Sequence, residues 1–238
     1  MILKILVESL RKLRSQPLLF MPKLFSTTLS SLFLIGLIFQ RAALTKIDPT
    51  LLAVSMASGL FIITLIGIFS SVMLSAMVKN STGLRQGFKD TAERIIQLIG
   101  LSLGVIGFGL VLSAVVGVGA VLTTVTGSIF PLVWSIASAL ALMIVSSYVI
   151  YFLPITVLEQ SGLRKAVDNS MRASSRNRTV VIGLLLFSLA LITLAAVSTG
   201  ALEGLGYLGF LSGRLLSSIV NTYLFTVSPT FYVEEREE

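Results

Sequence analysis

The chain has 238 residues, of which 55% are hydrophobic and 12% are charged, and its mean hydropathy is +0.96. This apolar excess excludes an ordinary soluble domain, because most of the surface must then face lipid. The chain contains no cysteine and no histidine, which excludes disulfides, thiolate or imidazole metal sites and Ser-His catalysis. The composition therefore predicts an integral membrane protein that is not an enzyme and has no cofactor and no metal.

The net charge of +7 raises the possibility of a nucleic-acid partner. However, the basic residues fall between apolar runs and do not form one long stripe, which is the pattern of topology signals and lipid-headgroup contacts. The sequence therefore predicts no nucleic-acid partner. Its predicted partners are membrane lipids, with anionic lipids favoured by the basic residues.

The segment Ile2–Arg14 has leucines at spacings of three and four, while Arg11, Lys12 and other charged residues occupy the rest of the helix surface. This pattern is typical of an amphipathic helix in the membrane interface, with leucines among acyl chains and cations among anionic headgroups. A solvated helix that packs on its own protein would show the same pattern. Both interpretations stay open.

Two further segments carry basic residues beside an apolar helix face. Lys79–Arg94 contains Arg85 and Lys89. Glu159–Arg178 contains three more basic residues that are candidate headgroup contacts, namely Arg164, Lys165 and Arg172. The chain thus has three predicted cytoplasmic amphipathic segments.

Six apolar runs are long enough to cross a membrane as helices. Their predicted bounds are Leu24–Leu44, Leu51–Val78, Ile95–Val121, Ile129–Leu158, Thr179–Thr199 and Leu215–Val233. The stretch Gly200–Gly213 holds five glycines and is predicted to be a flexible connection.

The basic residues also predict the orientation of these spans. Fifteen of the 18 lie on the side that carries the three basic segments, and only Arg41, Lys46 and Arg214 lie on the other. By the positive-inside rule, both termini are predicted to be cytoplasmic in a multi-pass protein of the cell membrane.

Short matches at long spacing predict an internal repeat. A Leu-Arg pair occurs three times, and its arginines are Arg11, Arg85 and Arg164. The second pair follows the first by 74 residues, and the third follows the second by 79 residues. The triplet Tyr148, Pro154, Glu159 recurs 75 residues later with the same spacing, as Tyr223, Pro229, Glu234. The fold predicted is all-α, a single membrane domain over 1–238 with three parallel two-helix units at about 1–78, 79–158 and 159–238.

Two features of the spans are predicted to serve helix packing. Gly109, Ser113 and Gly117 recur every four residues, so they line one helix face and permit close approach of another backbone. Asn221 is the most polar residue of the predicted spans, and an interhelical hydrogen bond is favoured over a ligand site. A hinge or pore lining is the alternative for the glycines.

The alternation of paired spans with segments such as Leu158–Ala166, followed by Arg172, resembles a family of six-helix membrane proteins. This family is related to the membrane domain of glycerophosphodiester phosphodiesterases. The segment Ser9–Leu13 with Pro17 and Pro22 is similar to its archaeal members. The resemblance implies six spans and no catalytic residues, because the hydrolase of two-domain relatives is a separate soluble domain.

Two functions from different classes remain open. The first is a non-enzymatic membrane module whose basic segments bind anionic headgroups and which serves as a membrane or partner scaffold, with a homo-oligomer or membrane-protein partner possible. The second is an uncoupled transporter, exporter or channel for an apolar or lipid-like substrate. The predicted spans hold no charged residue except Arg41, which argues against ion-coupled transport.

Overall fold

The computed structural model describes residues 1–39, 48–149, 151–159, 162–203 and 206–237. All regular secondary structure within these ranges is helical. The helices are α1 (Ile2–Ser15), α2 (Met21–Phe39), α3 (Pro49–Asn80), α4 (Leu84–Ala92), α5 (Ile95–Thr126), α6 (Phe130–Val149), α7 (Leu153–Glu159), α8 (Leu163–Arg176), α9 (Arg178–Glu203) and α10 (Gly206–Glu237). A 3-10 turn, Pro17–Phe20, joins α1 to α2.

Five helical stretches are long and apolar enough to cross a membrane. They are Pro17–Ile35, Val54–Asn80, Ile95–Thr126, Phe130–Glu159 and Arg178–Leu202. They agree with the first five predicted spans and confirm a helical, membrane-embedded protein. Arg41 and Lys46 lie outside the described residues.

The predicted sixth span lies within the 32-residue helix α10, which is not among those five stretches. Its hydroxyl side chains lower its hydropathy. Thr222 donates a hydrogen bond to the Ser218 carbonyl at 2.8 Å, and Thr226 donates to the Thr222 carbonyl at 2.7 Å. These buried hydroxyls are satisfied inside their own helix, so α10 tolerates them in the interior of the bundle.

The helix boundaries correct the sequence prediction at two charged residues. Helix α2 begins at Met21 and not at Leu24, so Lys23 is inside it. Helix α10 begins at Gly206 and not at Leu215, so Arg214 is inside it and donates to the hydroxyls of Ser30 and Ser31 at 3.2 Å each.

The predicted flexible connection Gly200–Gly213 is helical on both sides of residues 204–205. A helix satisfies its own backbone groups, which lipid cannot do, and this outweighs the weak helix propensity of glycine. The two prolines of the repeat triplet also differ. Pro154 lies in the first turn of α7, whereas α10 continues through Pro229 to Glu237.

The densest packing lies at one end of the bundle, where the last turns of α3, α7 and α10 meet. Helix α3 is buried continuously from Ser70 to Val78. The short helices α1, α4 and α8 pack around the same end, against α10, α3 and α7 respectively. We call this the basic end, because the exposed arginines and lysines of these three helices lie there.

Candidate functional site

Helix α1 has a buried side and an exposed side. Ile5, Ser9 and Leu13 are buried against the bundle. Three other apolar side chains are exposed by 74%, 57% and 61%, namely Leu3, Val7 and Leu10. The charged residues Lys4, Arg11 and Arg14 are also exposed. The exposed surface of the helix is therefore both apolar and basic.

Helices α4 and α8 pack on the bundle through small residues. Gly87 and Thr91 are the buried residues of α4, and those of α8 are Ala166, Ser170 and Ser174. Small side chains let the two short helices approach their neighbours closely. Each helix exposes a large apolar residue, Phe88 in α4 and Met171 in α8.

The predicted headgroup residues all lie on these three helices. Lys12 is half-buried, and the others are exposed, namely Arg11, Arg85, Lys89, Arg164, Lys165 and Arg172. The fold thus brings them to one end of the bundle but distributes them over three surfaces. Arg172 shares a cavity of about 460 Å³ with another cation, Arg176, and with Glu235.

Two tyrosines hold the short helices in place. Tyr148 of α6 donates a hydrogen bond to the Ser174 carbonyl of α8 at 2.8 Å. Tyr223 of α10 donates to the Leu6 carbonyl of α1 at 3.1 Å. Tyr148 and Tyr223 are the first residues of the two matching triplets found in the sequence. Each phenol donates a hydrogen bond to a backbone carbonyl of a short helix at the basic end.

A buried carboxylate joins three helices at this end. The Glu159 Oε1 atom lies 2.8 Å from Lys79 Nζ at the end of α3. Its Oε2 atom accepts a hydrogen bond of 2.9 Å from the Tyr232 hydroxyl of α10. The adjacent Leu158 carbonyl accepts from Arg94 at 3.1 Å. Removing one partner of such a pair leaves a buried charge, so this junction is structural.

The predicted packing stripe of α5 makes no packing contact within the described chain. Gly109, Ser113 and Gly117 are exposed, and a Cβ atom at either glycine would have open space. The close approach to α6 occurs at Gly119, where a Cβ would lie 2.9 Å from the Pro131 carbonyl oxygen. Packing of another helix against the stripe stays a prediction.

A central cavity of about 530 Å³ lies among the long helices. Its walls are mostly apolar and include Leu101, Leu185 and Phe225. It also contains Lys23, whose side chain is only 7% exposed. The Lys23 ammonium donates to the Ser71 hydroxyl at 2.5 Å and lies 3.7 Å from the centre of the Phe225 ring.

Asn221 lies in this cavity and not in a helix-to-helix hydrogen bond. Within the described part of the chain, no protein group accepts from or donates to its side chain, and the same holds for Ser147. The predicted interhelical bond of Asn221 is not among the contacts of the described residues, and Asn221 is instead one of the residues that line the cavity.

The central cavity was not predicted from the sequence, because the predicted first span begins at Leu24 and leaves Lys23 outside it. Pro22 was the available signal. Proline is favoured in the first turn of a helix, so a helix that begins near Pro22 includes Lys23. Asn221 could not be placed beside Lys23 without the packing of α2 on α10.

No known family model, curated protein or solved structure matches this chain. The resemblance to six-helix membrane proteins stays a prediction. Within the described residues, no group of three or more acidic side chains could hold a metal ion.

Proposed function

We propose that this chain is a six-span, non-enzymatic protein of the cell membrane whose three short basic helices bind anionic lipid headgroups. The observation that carries the proposal is that α1 is buried on one side only and exposes both apolar and basic side chains on the other. Leu3, Val7 and Leu10 suit the acyl region, while Lys4 and Arg11 suit the headgroup layer. Each cation near an anionic surface contributes on the order of 1 kcal/mol.

The same packing supports the proposed threefold repeat. In each unit the second span packs against the next short helix, so α3 contacts α4, and α7 contacts α8. Helix α10 contacts α1 and completes the series. Six spans in three parallel pairs would place all three short helices at one face, and the positive-inside rule makes this face cytoplasmic. Such a face could support the bilayer or a membrane-protein partner as a scaffold.

The test is the lipid preference of the reconstituted protein. Spin-labelled phosphatidylglycerol and phosphatidylcholine report, by electron spin resonance, how strongly each lipid is held at the protein surface. We expect the wild type to prefer phosphatidylglycerol by a factor of about three to ten and to lose this preference in high salt. The triple variant Arg11→Gln, Arg85→Gln, Arg164→Gln should approach equal association.

The matched control changes the same three arginines to lysine, which keeps the charge and should keep the preference. An unchanged preference in the folded glutamine variant would remove the headgroup role. Thermal unfolding of both variants checks that the bundle is intact.

The second candidate function is an uncoupled transporter of an apolar or lipid-like substrate. The observation that favours it is the central cavity of about 530 Å³, whose walls are mostly apolar. Transbilayer movement of a fluorescent lipid in protein-containing vesicles tests this function. A rate equal to that of protein-free vesicles would exclude it for that lipid.

A further inference from the structure

The central cavity has an unusual supply of hydrogen-bond donors. Four of its hydroxyls already donate to backbone carbonyls, which are those of Thr64, Ser71, Ser188 and Ser228. Their remaining capacity is to accept. The donors still free among the described lining residues are the remaining N–H groups of the Lys23 ammonium, the amide of Asn221 and the hydroxyls of Ser147 and Tyr151. The Tyr151 hydroxyl is buried and has no partner in the described part of the chain.

The cavity lining also carries a positive charge without a negative one among the described residues. Lys23 is its only cation among the described residues, and no Asp or Glu is among its lining residues. A hydroxyl and an aromatic face are the protein partners of the ammonium. They compensate a buried charge only in part, because neither carries a full negative charge. An anion beside Lys23 would supply what is missing.

The apolar walls restrict the ligand further. Leu101, Leu153, Leu185 and Ile192 are among the residues that line the cavity. Its volume of about 530 Å³ falls in the range typical of small-molecule sites, roughly 300–1,000 Å³. A small hydrated anion would leave these walls unfilled, whereas an acyl chain would cover them.

We infer that the central cavity binds one anionic amphiphile, with its phosphate or carboxylate at Lys23, Asn221 and Tyr151 and its acyl chain along the apolar walls. This site is separate from the basic surface helices and does not rest on their proposed role. A surface contact is shared by many exchanging lipids. The cavity takes one ligand, and the binding saturates.

The test is a titration of the full chain in nonionic detergent, followed by native mass spectrometry and by the shift in thermal unfolding. The probes are oleoyl lysophosphatidylglycerol, oleoyl lysophosphatidylcholine and inorganic phosphate. We expect one lysophosphatidylglycerol per protein, bound about tenfold more tightly than lysophosphatidylcholine, and no saturable binding of phosphate below millimolar concentrations.

Lys23→Met should weaken lysophosphatidylglycerol binding by about 10- to 100-fold, since it removes a charge-assisted hydrogen bond. The matched control is Arg178→Met, which removes an exposed cation at the start of α9 and should leave the affinity unchanged. Tyr151→Phe removes only a hydroxyl, should weaken binding about fivefold and keeps the test decisive if Lys23→Met fails to fold.

Equal binding of the two lysolipids, or wild-type affinity in both cavity variants, would overturn the inference. Inorganic phosphate that competes at the same concentration as lysophosphatidylglycerol would overturn the lipid assignment in favour of a small-anion site. Binding in the cavity should survive 0.5 M salt, whereas headgroup contacts at the exposed helices should not, so the two proposals can fail separately.

Discussion

Helices α3 and α5 are alike in sequence terms but have opposite positions in the fold. Both have 32 residues, and the apolar windows within them have mean hydropathies of 2.3 and 2.5. Half of the window in α3 is buried inside the protein, against 6% in α5. The more apolar helix is therefore the one left to the lipid.

The buried part of α3 contains a cluster of small polar residues. Ser70, Ser71 and Ser75 of α3 are buried, and each donates to a carbonyl of its own helix. Lipid chains are as apolar as leucine, so burying apolar side chains against another helix gains no hydrophobic free energy in a membrane. Small hydroxyl residues allow neighbouring helices to approach α3, and they lie where the core forms.

The largest effect should come from filling this small-residue face. Ser75→Leu places a large side chain at a position that is 0% exposed, and we expect a loss of about 3 kcal/mol in the free energy of unfolding. The matched change in α5 is Ser113→Leu at an exposed position, with an expected effect below about 0.5 kcal/mol. Unfolding in mixed micelles measures both, and equal losses would contradict the contrast between α3 and α5.

A smaller difference in stability loss is expected between alanine substitutions at two glycines of α5. Gly119→Ala must displace Ser135 and meets the Pro131 carbonyl, so we expect a loss of about 1–2 kcal/mol. Gly117→Ala enters open space and should change stability by less than about 0.5 kcal/mol. A larger loss for Gly117→Ala in reconstituted protein would indicate that the exposed stripe contacts a second copy.

The smallest perturbation is a single cysteine introduced into the chain, which contains none of its own. Single variants Ser75→Cys and Ser113→Cys change little in size and should leave stability nearly unchanged. We expect a lipid-soluble maleimide to label Ser113→Cys at least about tenfold faster, because labelling of the buried site requires local opening. Similar labelling rates would mean that the other helices do not enclose α3 when the protein is in the bilayer.

The sequence predicted the long apolar helices but not which of their faces pack together, and the reason differs for each residue. Apolar run length suffices for α3 and α5, since a membrane helix must satisfy its backbone alone. The contact at Gly119 could not be distinguished from the stripe at Gly117, because the side that meets α6 depends on tertiary packing. Lys23 and Asn221 are 198 residues apart, and only the packing of α2 on α10 brings them to one cavity.

The bond from Tyr223 to the Leu6 carbonyl spans 217 residues of sequence. During synthesis α1 is therefore made long before α10. Leu13 belongs to a cluster with Leu74 and Met77 of α3, whereas the cluster around Ile5 is completed only by Val227 and Phe231 of α10. The bilayer surface is an apolar phase that α1 can reach earlier, so we expect α1 to adsorb there first and to be captured when α10 inserts. The exposed leucines would then serve assembly before they serve the finished protein, and the completion of the basic end would be the last step of its biogenesis.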